Sequence, residues 1–164
     1  MKMELIQPFI SAADAVLSET FQAPTEIVDL TMDEETYRRK GVAALIQFKG
    51  EIEGRVILDI ADDVALRMAA HLAGGAAPEG DQLIRETICE LANMVIGNAV
   101  TLLNDKGFCF KAFPPEIHSN EEGLACSRDT EAMVLALETP CGRVYLNIAM
   151  QYLRRRRRES VPVA

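Results

Sequence analysis

The chain has 164 residues, 49% of them hydrophobic, and a formal net charge of −8. That length and apolar content suit one globular domain with a real core. No stretch approaches the ~20 uninterrupted apolar residues of a membrane span. The opening "MKMELIQPFISAADAV" reads poorly as a signal peptide, because Glu4, Pro8 and Asp14 interrupt any apolar segment, so a cytoplasmic location is the default. The charge is uneven: Arg154–Arg158 form a basic run, and residues 1–153 carry 12 Lys+Arg against 24 Asp+Glu. An acidic body argues against nucleic-acid binding, which needs a basic surface for phosphates. The expected organisation is a domain over residues 1–153 and an Arg-rich tail over 154–164. That tail is read as solvated, although it could touch a polyanion, an acidic membrane or an acidic partner.

In chain order, the first element is a helix over roughly 8–21, with Phe9, Ile10, Ala13, Val16, Leu17 and Phe21 at helical spacing and Pro8 in its first turn. A strand follows at "EIVDLT" (26–31), then a hairpin from "VAALIQFK" (42–49) and "GRVILDI" (54–60). A joining helix, "DDVALRMAAHLAGG" (62–75), leads through a Gly/Ala/Pro linker to a long helix. That helix runs from near Asp81 to the Asp105-Lys106-Gly107 stop. The end of the chain repeats the earlier order: a strand at "FCFKAF" (108–113) and a hairpin from 131–138 and "GRVYLNI" (142–148).

"GRVILDI" and "GRVYLNI" match at five of seven positions, 88 residues apart. Two copies of helix–strand–hairpin imply pseudo-twofold symmetry inside one domain, since a solenoid needs more repeats. The fold class expected is α/β (α+β): an antiparallel six-stranded sheet with two long helices packed on one face.

The four cysteines, Cys89, Cys109, Cys126 and Cys141, contain no C-x-x-C pair and mostly sit in apolar patterns, which suits free thiols. His71 and His118 stand apart from cysteines and carboxylate pairs, so no metal site is expected, and His71 reads as a helix-face residue.

The stretch "RETICELANMVIGNAVTLLN" (85–104) carries the chemistry. At about 100° per residue, Glu86, Glu90, Asn93, Gly97 and Asn104 fall within about 60° of one another. The opposite face collects Ile84, Ile88, Leu91, Ala92, Val95, Ala99, Leu102 and Leu103. An ordinary solvated face would account for such a stripe, but three features fit it poorly. Asn is a weak helix former mid-helix, Gly97 costs about 1 kcal/mol against alanine, and Glu86 and Glu90 repel mildly as i,i+4 neighbours. A glycine there makes sense if a partner's backbone must come close.

"E-L-A-N-M-V-I-G" (Glu90 to Gly97) resembles the E-x-x-N-x-x-x-G signature of the CheC/CheX/FliY chemotaxis phosphatases. The N-terminal helix and the duplicated hairpins resemble that family too, so the likeness covers nearly the whole chain. The resemblance implies hydrolysis of the phosphoaspartate of a CheY-like receiver. Glu90 would dock on the receiver's active-site lysine, and Asn93 would orient the attacking water. Glu86 and Gly97 would belong to the partner-binding surface. It also implies no cofactor of the chain's own, with Mg²⁺ on the receiver, and a homodimer like CheX; charge and hydropathy, for their part, leave no nucleic-acid or membrane partner expected. Glu86 departs from the Asp or Ser usual at its position, and Pro114-Pro115 come one or two positions early. The first helix has no E-x-x-N, so a single CheX-like site is expected. A non-catalytic module of the same fold, like the FliM middle domain, is the alternative.

Overall fold

The computed structural model describes residues 3–33, 39–76, 78–118 and 132–152. The Arg154–Arg158 run, Cys126 and residue 131 of the expected last hairpin lie outside the described residues. The described residues form α1 (Met3–Phe21), β1 (Glu26–Asp33), β2 (Gly41–Gly50), β3 (Ile52–Ala61), α2 (Asp62–Leu72), α3 (Asp81–Asp105), β4 (Phe110–Ala112), β5 (Glu116–His118), β6 (Ala132–Thr139) and β7 (Gly142–Tyr152). None of these helices is long and apolar enough to cross a membrane.

Three boundaries differ from the sequence expectation, each for a local reason. Helix α1 starts at Met3 and encloses Pro8, because Leu5 and Ile6 carry its buried face one turn further back. Helix α2 stops at Leu72, before two glycines at positive φ, Gly74 and Gly75. The strand expected at 108–113 becomes two short ones, β4 and β5, separated by Phe113-Pro114-Pro115. Proline cannot donate to a ladder, so the edge breaks there and resumes after it. Among the described residues the sheet therefore has seven strands in place of six, and three helices accompany it.

The strands run β1-β6-β7-β3-β2-β4, with β5 also on β2, and all pairs are antiparallel. This order is the duplication made visible. At the centre, Leu58 of β3 faces Leu146 of β7, its own counterpart 88 residues later. The flanking pairs Ile57–Asn147 and Asp59–Tyr145 exchange under the same relation. Strand β1 of the first half pairs with β6 of the second, while β4 and β5 of the second pair with β2 of the first. Each half thus completes the other's sheet.

Alternation puts Val42, Ala44, Ile46, Phe48, Val56, Leu58 and Ile60 on the face that meets the helices, together with Leu135, Leu137, Val144, Leu146 and Ile148. Phe9 of α1 meets Phe48 edge-on, their ring centres 5.8 Å apart. On the other face Asp59 is fully buried and accepts the backbone N–H groups of Lys40 (2.6 Å) and Gly41 (3.1 Å), fixing the entry to β2.

The repeated G-R-V glycines both sit at positive φ, but their surroundings differ. A Cβ on Gly54 would stand 2.0 Å from the Ala149 carbonyl oxygen, whereas one on Gly142 would meet Val64 Cγ2 at 2.6 Å. A side-chain methyl can shift; a laddered carbonyl cannot. Gly54→Ala is expected to lower stability by on the order of 3 kcal/mol in urea unfolding. Gly142→Ala should lose visibly less.

Candidate functional site

Helix α3 holds the site because its inner face is locked. Ile88, Leu91, Ala92, Val95, Ile96, Ala99 and Leu103 are all buried in the core shared by the helices and the sheet. Fully burying one large aliphatic side chain contributes about 1.5–3 kcal/mol, so the helix has little freedom to roll. Two residues assigned to the inner face are not fully inside: Ile84 is half-buried and Leu102 is 39% exposed.

The outer stripe is exposed at every position: Glu86, Glu90, Asn93, Gly97 and Asn104. Glu90 and Asn93 are three residues apart on one face. Gln82 Nε2 donates to Glu86 Oε1 at 3.1 Å, which orients Glu86 along the helix. Among the described residues neither Glu86 nor Glu90 has a cationic partner. Among the described residues, the Asn93 amide nitrogen's one hydrogen-bond partner is Cys89 Sγ, at 4.0 Å. The amide therefore keeps both a donor and an acceptor free to face outward.

Gly97 stands in open space. A Cβ built on it would meet nothing within 4 Å among the described residues, so their packing does not require a glycine. One turn on, Thr101 Oγ1 donates to the Gly97 carbonyl at 3.0 Å.

A groove beside the stripe escaped the sequence reading. It encloses about 490 Å³ and is lined by Leu72 of α2, Thr20 of α1, and Leu83, Leu91 and Met94 of α3, with Glu86 and Glu90 on its rim. Leu72, Leu83 and Met94 are among the exposed large apolar residues. Leu83 and Met94 lie next to the stripe at helical spacing, a signal that was present in the chain. Leu72 arrives from another element and could not be placed without the fold.

The cysteines are less apolar in setting than their sequence context suggests. Cys109 is exposed, and Cys89 and Cys141 are half-buried free thiols. Burial raises the Cys141 thiol pKa, partly offset by the nearby Arg67 guanidinium. His71 lies exposed on α2 with its ring 5.4 Å from that of Phe21.

The exchanged-strand sheet with α1 and α3 packed together on it is the CheC-like fold. A CheC-like superfamily protein from Shewanella sp. PV-4 superposes with a TM-score of 0.80 at 22% identity, covering 92% of this chain and 99% of that one. The chemotaxis protein CheX from Vibrio vulnificus gives 0.76 at 21% identity, covering 90% and 99%. The CheX of a CheX–CheY–BeF3–Mg²⁺ complex from Borrelia burgdorferi gives 0.66 at 26% identity, covering 92% and 99%. No curated protein sequence matches the chain. Residues 42–138, which include all of α3, match the family described as chemotaxis phosphatase CheX. The chain belongs to the CheX family.

Because nothing among the described residues occupies the space above Gly97, Gly97→Ala should stabilise the isolated protein. The gain is about 1 kcal/mol of helix propensity, read as a rise of roughly 2–4 °C in Tm. A fall in Tm would mean that the glycine serves the fold.

Proposed function

We propose that this protein hydrolyses the phosphoaspartate of a CheY-like receiver, with Asn93 orienting the attacking water and Glu90 docking on the receiver's lysine. The observation that carries the reading is the pairing of an exposed carboxylate, without a cationic partner among the described residues, and an exposed amide, one turn apart, on a helix with little freedom to roll. Membership of the CheX family and the likeness to the CheX of the Borrelia complex support it.

The chemistry follows from those two side chains. Hydrolysis of an aspartyl phosphate asks for a water held in line with the bond that breaks, so positioning is itself catalytic. The Asn93 amide can accept from that water and donate toward the phosphoryl oxygens. A carboxylate at this position would repel the phosphoryl oxygens and exclude the water's correct approach. Glu90 fixes the register by pairing with a lysine ammonium, which places the amide over the phosphorus. Gly97 then gives clearance to the partner's surface, and Glu86 adds a second acidic contact. The Mg²⁺ belongs to the receiver, and the chain needs no cofactor of its own.

A pure docking module would use the acid and have no need of the amide, which separates this reading from a FliM-like adaptor. We place the protein in the cytoplasm with its receiver, acting as a homodimer. Edge strand β1 displays Ile27, Leu30 and Met32, each about half exposed, as apolar surface available to a second copy.

The test is the decay of phosphorylated receiver domains from the same organism, followed with and without the protein. Asn93→Ala should slow turnover ~100-fold, a loss of ~2.7 kcal/mol of transition-state stabilisation. Glu90→Ala should act on KM first, and added salt should mimic it because an exposed ion pair is screened. Failure to accelerate any native receiver sinks the enzyme reading. Gly97→Ala, stable on its own, should weaken receiver binding at least severalfold.

A further inference from the structure

The groove beside Glu90 opens on the flank of the site that faces α2, and its walls come from all three helices. Leu83 and Met94 lie about 20° and about 40° beyond Glu90 around α3, and Met94 follows Asn93 directly in the chain. Leu72, the last residue of α2, closes the far side. Each keeps much of its apolar surface in water: Leu72 is 47% exposed, Met94 42% and Leu83 38%. Beneath them lie Leu91 and Thr87, both buried, and the Thr87 hydroxyl donates to the Leu83 carbonyl at 2.8 Å. The groove is therefore apolar inside. Its rim is not: Glu86 and Glu90 stand there, without a cationic partner among the described residues.

We propose that this groove is the specificity pocket of the site: it takes an apolar side chain that the receiver carries beside the lysine that meets Glu90. The proposal rests on the phosphatase reading of α3. Two arguments commit the groove to that occupant. The first is continuity. Glu90 is a wall of the groove as well as the docking acid, and Met94 stands about 6 Å along the helix from it. A stable protein interface buries about 800 Å² on each partner, so a receiver seated on Glu90 and Asn93 covers the groove too. The second is charge. An apolar pocket edged by two carboxylates favours an apolar side chain flanked by cations, and it disfavours an acidic one. The lysine supplies the cation, and its neighbour supplies the apolar group. The two contacts then do different work. Glu90 sets the register, but any receiver with the lysine satisfies it. The groove discriminates, because an apolar side chain gains by leaving water against Leu72, Leu83 and Met94, whereas a polar one loses its hydration there. Met94 is unbranched and adapts its shape, so the pocket selects apolar character more than one exact residue.

The probe is each CheY-like receiver domain of the same organism, loaded with Mg²⁺ and beryllofluoride as a stable phosphoaspartate mimic and titrated calorimetrically. Leu72→Gln and Met94→Gln should each weaken binding about tenfold. That loss should persist in high salt, where the Glu90 contact is screened. Leu66 is the control: it is 43% exposed on α2 and is not part of the groove lining, so Leu66→Gln should bind as the wild type does. In turnover the groove variants should raise KM and leave kcat unchanged, the reverse of Asn93→Ala. Wild-type affinity in both groove variants, or an equal loss in Leu66→Gln, overturns the proposal and leaves the phosphatase reading standing. Conversion of a wild-type dimer to monomers by Leu72→Gln assigns the groove to a second copy and overturns it too. A receiver bound through the groove but not dephosphorylated removes the phosphatase reading alone. A wild-type protein that binds no receiver removes both.

Discussion

The pairing of β3 with β7 is the contact on which everything else hangs. It joins two halves of one chain through strands that are each other's counterparts, so the halves must meet as a pseudo-dimer inside a single sheet. Their edge strands then cross over, β1 onto β6 and β4 with β5 onto β2, and neither half can complete a sheet alone. Packing follows from this. With both hairpins side by side, their alternating apolar residues present one continuous face, which α1, α3 and the Val64, Ala65 and Met68 side of α2 cover.

That cover explains why the site can be both exposed and rigid. A helix on the surface normally has some freedom to shift, but α3 has seven side chains buried along its inner face, and they fix where its outer stripe points. The proposed phosphatase chemistry would need little from the protein beyond placement, and a locked helix with two outward groups would supply it. The features that a folding argument finds wasteful, a mid-helix asparagine, an unneeded glycine and adjacent carboxylates, fall on that outer stripe. They cost stability where a partner would recover it.

Local pattern determined much of this protein. Period-two and helical spacing marked both hairpins and all three helices, the 88-residue echo announced the symmetry, and the wheel placed Glu86, Glu90, Asn93 and Gly97 on one face. These are short-range properties, settled by neighbours within a turn or a hairpin. Tertiary structure decided the rest. The strand exchange, the break at Pro114-Pro115 and the backward extension of α1 through Leu5 and Ile6 depend on which surfaces meet. The groove closed by Leu72 and the Ala149 carbonyl that demands Gly54 also join residues far apart in the chain. No local period encodes such meetings, because they are set by packing distances that exist only once the sheet has formed.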